Sequence, residues 1–338
     1  MTSIKKIRGV ISLSWPLLLS GCGLIVLSPP GDVASQQGRL VIASTLLMLL
    51  IIVPVIVLIL VFAWRYRQSN TEAVYTPDWD HSIQLELVIW AAPLLVVIAL
   101  GALTWIGTHT LDPYRPLTRI DGQRSVPMDT RPLRIEVVAL DWKWLFIYPD
   151  QGIAVVNELA APVDVPIVFK ITSSTVMNSF YVPALAGQIY AMPGMETTLH
   201  AVVNHPGDYE GFSANYSGAG FSHMRFTFRG VSDSDFERWV KTVKAGGNAL
   251  GRGDYLQLER PSEREPVRRY AAVAPDLYDA IVNRCVEPGK LCIRDMMALD
   301  EQRGLGLATI RNANKLEFAG VCTASNPSGK PLTLVDRN

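Results

Sequence analysis

Serine, asparagine, histidine and methionine side chains crowd one stretch of this chain, Tyr209-Glu-Gly-Phe-Ser213-Ala-Asn215-Tyr-Ser217-Gly218-Ala-Gly-Phe221-Ser-His223-Met224. Two earlier segments read with it, Met177-Asn178-Ser179-Phe180 and Met192-Pro-Gly-Met195. The donors on offer are hydroxyls, amides, one imidazole and thioethers. A redox metal that shuttles a single electron needs soft thiolates and imidazoles, because those stabilise the reduced ion and limit reorganisation. Hydroxyls, amides and a phenyl ring supply neither property, so the stretch has the look of a metal loop from which the metal has been removed.

Together the three segments resemble the cupredoxin domain of subunit II of the haem-copper oxidases. In that family a dinuclear copper centre is held by a His in the first segment and by a Cys-x3-Cys-x3-His-x2-Met loop. By that resemblance the first His falls on Asn178, the two Cys on Ser213 and Ser217, the second His on Phe221 and the Met on Met224. The backbone ligand, a Glu in the copper-bearing branch, falls on Asn215. Only Met224 keeps its side chain, and His223 stands two positions away from the family's His, as an ordinary histidine would. The resemblance therefore implies a cupredoxin fold without copper, the pattern of the quinol oxidase branch of cytochrome bo type. It runs over about 10–285, and its most specific stretches are Asp141-Trp142-Lys143-Trp144-Leu-Phe-Ile-Tyr148-Pro and Met177-Asn178-Ser-Phe-Tyr-Val-Pro followed by Gln188-Ile-Tyr-Ala-Met192.

Strands must position such a loop, and the chain supplies them. From Leu133 apolar residues alternate, Leu133, Ile135, Val137 and Ala139 on one face, then Trp142, Trp144, Phe146 and Tyr148. Further strands are expected over 165–172, 197–203 and 224–228, with turns at Pro149-Asp150, Pro193-Gly194 and Pro206-Gly207-Asp208. Alternating strands between turns predict an antiparallel sandwich, and nothing has the strand-helix alternation of a nucleotide-binding sheet. In copper-bearing relatives the tryptophan matching Trp142 passes electrons from cytochrome c. With no acceptor beneath it, Trp142 is expected to pack.

Before the strands come two charge-free apolar runs, 40–63 and 87–106, each long enough to cross a bilayer. Pro54 and Pro93 interrupt them, which membrane helices tolerate. Residues 1–22 carry Lys5, Lys6 and Arg8, an apolar run, then Leu19-Ser-Gly-Cys22, a lipoprotein signal with lipid expected on Cys22. Arginine counts on the two sides of the hairpin are ambiguous; the signal decides the topology, placing the hairpin loop in the cytoplasm and both termini in the periplasm. That loop ends in Trp79-Asp-His81-Ser-Ile-Gln-Leu-Glu86-Leu-Val-Ile-Trp90-Ala-Ala-Pro93. The family's second membrane helix opens in the same way, and there the residue matching Glu86 is associated with the mouth of a proton-uptake path. A carboxylate at membrane depth costs ~2.5 kcal/mol or more, which favours a functional reading. The alternative is an interfacial Glu in a helix's favourable first turn.

Beyond Gly230 the pattern turns helical, with a capping-box spacing at Ser234-Asp-Phe-Glu237 and a second helix expected over 275–284. Besides Cys22 the cysteines are Cys285, Cys292 and Cys322. A disulfide between Cys285 and Cys292, free thiols, and a metal site are all open, the last without an accompanying His.

Lys and Arg equal Asp and Glu at 31 each, so no net field points to nucleic acid. The 338 residues divide into a signal at 1–21, an anchored hairpin at 22–109 with helices near 40–63 and 84–107, a periplasmic cupredoxin-like domain at 110–230, a helical extension at 231–290 and a tail at 291–338. The expected function is that of a bacterial inner-membrane, non-redox subunit of a proton-pumping ubiquinol oxidase. No cofactor is expected in this chain. Haems and copper belong to subunit I, and the partners are subunit I, the small membrane subunits, membrane lipid and, through the complex, ubiquinol. The rivals are a copper-bearing cytochrome c oxidase subunit and a lipid-anchored copper-binding module using His200, His205, His223 and nearby Met side chains.

Overall fold

A computed structural model describes residues 25–303 apart from Tyr75. The signal segment, Cys22 and the tail beyond 303 with Cys322 lie outside the described residues.

Two long helices come first, α1 (Asp32–Arg65) and α2 (Ile83–Thr110), both long and apolar enough to cross a membrane. Each begins earlier than hydropathy suggests, and α1 by eight residues against the expected 40. The reason is tertiary: its first turns dock on the following domain rather than in lipid. The Gly31 amide donates to Ala184 O at 3.0 Å and Ala34 N to Leu185 O at 3.3 Å. Asp32, 6 % exposed, receives a two-pronged bond from the Arg119 guanidinium at 2.9 and 3.1 Å. A Cβ on Gly31 would stand 2.8 Å from the carbonyl oxygens of Leu185 and Val202, so only glycine permits this approach.

The domain is a two-sheet sandwich. Its strands are β1 (Leu133–Leu140), β2 (Lys143–Tyr148), β3 (Ile153–Val156), β4 (Glu158–Pro162), β5 (Ile167–Ser173), β6 (Asn178–Tyr181), β7 (Ile189–Ala191), β8 (Thr197–Ala201), β9 (Gly207–Ser213) and β10 (Arg225–Val231). Later in the chain follow α3 (Asp233–Gly246), β11 (Asn248–Leu250), α4 (Arg252–Leu258), β12 (Arg268–Val273), α5 (Leu277–Val282) and α6 (Ile293–Arg303). One sheet runs β11-β12-β3-β2-β1-β5-β8, the other β4-β10-β9-β6-β7. The arrangement is mainly antiparallel, with β1 parallel to β5, β4 parallel to β10 and β11 parallel to β12.

Period-two alternation puts Leu133, Ile135, Val137, Ala139, Trp144, Phe146 and Tyr148 in the core between the sheets. Phe180 and Phe226 stack there at 5.5 Å, with Trp144 edge-on to both. Tyr148 Oη crosses the layer, donating to Ala160 O at 2.8 Å and accepting from Ala160 N at 2.9 Å.

The segment expected to be helical is mixed. It contributes β11 and β12 to the edge of the larger sheet, and α4 and α5 cover that sheet's outer face. Val138, Leu140, Leu145, Ile147, Ala154 and Val156 consequently form a second core with Leu250, Tyr255, Leu258, Leu277 and Ile281. The cap of α3 also differs from the spacing at Ser234: Ser232 is the N-cap, its Oγ accepting from Asp235 N at 3.2 Å. A disulfide joins Cys285 to Cys292, just before α6 in the segment assigned to a tail.

Candidate functional site

Strand pairing brings the substituted positions together. Asn178 opens β6, Ser213 closes β9, and the two strands pair with Phe180 opposite Ser213. The loop from β9 to β10 then passes Asn215, Ser217 and a 3₁₀ turn at Phe221–His223, and returns Met224 beneath it, fully buried. The Ser213 amide donates to Met224 O at 3.2 Å, which closes the loop on itself.

Within this seat the polar groups serve one another. Ser213 Oγ lies 3.1 Å from Asn178 Oδ1 and 3.2 Å from the carbonyl oxygen of Asn215, and takes the Ser179 amide at 3.5 Å. Asn178 Nδ2 donates to Val176 O, and Asn215 Nδ2 to Met177 O and Tyr216 O. Ser217 Oγ reaches Met224 Sδ at 4.0 Å. Phe221 turns its ring to Tyr216, with centroids 5.7 Å apart. Asn178 and Ser213 are 1 % and 3 % exposed, so their mutual bonds satisfy groups that would otherwise be buried alone. The dinuclear copper of the family does not fit this donor set. Two hydroxyls and an amide cannot bridge and soften a copper pair, and the bonds above already occupy them.

Trp142 lies over the loop. Its Nε1 donates to Ser217 O at 3.0 Å, and a Cβ on Gly220 would stand 2.6 Å from its ring. Sequence spacing gave no sign of the segment that holds the strand start beside it. The Trp142 amide donates to Ser262 O at 3.2 Å and the Ser262 amide to Asp141 O at 2.9 Å. Lys143, 1 % exposed, donates from Nζ to Arg260 O, Ser262 Oγ and Asp141 O at 2.8, 2.7 and 3.1 Å. Burial pulls its ammonium below the usual lysine value, opposed by Glu265 and Asp141. Arg260 and Ser262 lie more than a hundred residues away in sequence, beyond the reach of any local pattern.

The imidazoles do not assemble into a site. His200 is on β8, His205 is in the turn before β9, and His223 Nε2 faces the Arg264 guanidinium at 3.3 Å. Among the described residues no group of three or more His, Cys, Asp or Glu comes within reach of one ion. Glu86 sits in the first turn of α2, its side chain 56 % exposed and 3.8 Å from His81 Nδ1.

Comparison with known proteins bears on all of this. Residues 149–231 match the family described as cytochrome c oxidase subunit II, periplasmic domain, and residues 244–289 match the COX aromatic rich motif. The chain is 48% identical over 279 residues to the cytochrome bo(3) ubiquinol oxidase subunit 2 of Pseudomonas putida, covering 82% of this chain and 86% of that protein. It is 50% identical over 279 residues to the ubiquinol oxidase subunit 2 of Acetobacter aceti, covering 82% and 88%. Among solved structures, the periplasmic domain of subunit II of the Bradyrhizobium japonicum cytochrome oxidase aligns at 26% identity and a TM-score of 0.33, over 33% of this chain and 94% of that one.

Proposed function

Because this chain belongs to the ubiquinol oxidase subunit 2 family, we propose that it works as the non-redox subunit 2 of a cytochrome bo-type complex that oxidises ubiquinol, reduces oxygen to water and moves protons outward. The observation that carries the non-redox reading is the bond of Ser213 Oγ to Asn178 Oδ1 at 3.1 Å. It closes, with hard donors, the place where the copper-bearing branch keeps a thiolate and an imidazole. Electrons then enter the complex elsewhere, and the haems and copper that receive them belong to subunit I.

The hairpin packs in the membrane beside subunit I and the small membrane subunits, and the sandwich caps them on the periplasmic side. Both termini lie in the periplasm, with lipid on Cys22. Among the described residues, the Val26 carbonyl lies against Gly38 of α1, 2.6 Å from where a Cβ would be, so residues 25–27 fold back along the start of the helix. Glu86 admits protons at the cytoplasmic mouth, supported by its being the single carboxylate of an apolar helix long enough to cross the membrane, where a carboxylate is costly to keep.

The test is oxygen uptake by the purified complex. Ubiquinol is expected to support turnover and a reduced c-type cytochrome is not. Turnover with the cytochrome, together with a near-infrared copper band, would assign the chain to the copper-bearing branch.

A further inference from the structure

The membrane hairpin carries a slot that the redox reading does not use. Between α1 and α2, on the side nearest the sandwich, a groove of about 590 Å³ is walled by Leu40, Ser44, Leu103, Thr104, Gly107 and Thr108. Three of these residues bear hydroxyls, but Thr104 Oγ1 donates to Leu100 O and Thr108 Oγ1 to Thr104 O, each at 2.8 Å, so both threonine hydroxyls are satisfied within α2 and need no polar partner from an occupant. The groove continues into a chamber of about 260 Å³ at the foot of the sandwich, and Gln37, Leu111, Asp112 and Pro113 line both. The groove falls within the roughly 300–1,000 Å³ of ligand sites, and the chamber of about 260 Å³ extends it.

The charge in the chamber is balanced. Arg119 is already paired with Asp32. That leaves Arg115, held by one bond from Nη1 to His109 O at 3.2 Å, and Asp112, whose Oδ1 takes the Tyr114 amide at 2.9 Å. Burial and Lys170 hold the His200 imidazole below its usual value, so it adds no cation at neutral pH. One guanidinium and one carboxylate at the boundary of an apolar slot match a zwitterion carrying a phosphate and an ammonium group.

We propose that the hairpin holds one phospholipid with an ethanolamine headgroup, its acyl chain in the slot between α1 and α2, its phosphate on Arg115 and its ammonium on Asp112. The proposal rests on the membrane-spanning reading of the hairpin but not on the route of the electrons. A lipid seated there fills the space between the helices where they leave the bilayer, and so fixes the angle at which the hairpin meets the sandwich.

The experiment uses the complete purified oxidase, stripped stepwise of lipid and weighed by native mass spectrometry, then re-supplied with vesicles of phosphatidylethanolamine or of phosphatidylglycerol. Wild type is expected to keep one phosphatidylethanolamine longest and to recover it from the first vesicles only. Filling the slot with Ser44→Leu/Thr108→Leu should abolish the retained lipid. Arg115→Gln should weaken retention roughly tenfold, the loss of one charge-assisted contact. Haem content and quinol turnover report assembly, so loss of lipid from an active complex supports the site. Retention unchanged in both variants overturns the proposal, as does equal uptake of phosphatidylglycerol, or a photocrosslinker at position 104 that labels a neighbouring protein instead of lipid.

Discussion

Ser213 and Asn178 show how a site can lose its chemistry and keep its geometry. The strands still deliver both side chains to one buried place, and a hydroxyl bonded to an amide restores there the polar satisfaction that a metal would have provided. Other carboxyls of the domain are less comfortable, and half-buried Glu259 is one case. Burial, and then the nearby Glu287, push its carboxyl above the ordinary glutamate value of 4.5. A carboxyl raised on folding contributes stability that is fully present below 4.5 and is lost as pH rises through the folded-state value. Thermal unfolding of the detergent-solubilised chain should therefore fall as pH rises from 4.5 upward, and Glu259→Gln should show a smaller fall. Equal falls in the two proteins would assign the effect to another group, with Glu136, also raised by burial, the next to test.

At the scale of elements, the junction between α1 and the sandwich is the most consequential contact. A helix that simply emerged from a bilayer would leave the domain free to swing. Here the helix start is held by Gly31 and Ala34 amides on the 184–185 backbone and by the Asp32–Arg119 pair. Asp32→Asn keeps the shape and removes the charge. The expected loss is about 1.5–3 kcal/mol, the range for a hydrogen bond to a charged group, and towards the lower end because Arg119 is 36% exposed and partly screened. The measurement is thermal unfolding together with proteolysis of the connection between α2 and β1, which should be cut faster in the variant. Unchanged cutting would mean that the backbone bonds hold the junction alone. The extension works in the same manner on the far side. Arg269 on β12 bonds Glu158 on β4 at 2.8 Å, and Lys143 holds the 260–262 segment, so sandwich and extension form one body.

For the whole molecule, the arrangement leaves the lower half of the hairpin bare. The long apolar side chains of α1 and α2 from Leu46 to Phe62 and from Ile83 to Ile98 are largely exposed in the isolated chain, as expected of surfaces met by lipid and by other subunits. Glu86 stands on that surface, its side chain 56% exposed, and the proposed proton role can be tested there. Glu86→Ala is expected to slow quinol-driven turnover while leaving haem content intact. Full turnover in that variant would reduce Glu86 to an interfacial residue.

Much of this was readable in the chain itself. Length and absence of charge mark the two membrane helices, because lipid tolerates little else. Alternation marks β1 and β2, because a pleated strand puts every second side chain on one face. The identity of donors at 178, 213, 217 and 221 excludes a thiolate-bridged metal, because donor softness belongs to the side chain wherever it sits. Tertiary structure alone decided what lies on the second face of each element. Val138 and Leu140 are as buried as Val137 and Ala139, since α4 and α5 arrive from more than a hundred residues away to cover them. For the same reason α1 begins at Asp32 rather than at 40: the partner that stabilises its first turns, Arg119, is 87 residues distant, and burial by a remote segment leaves no local periodicity to read.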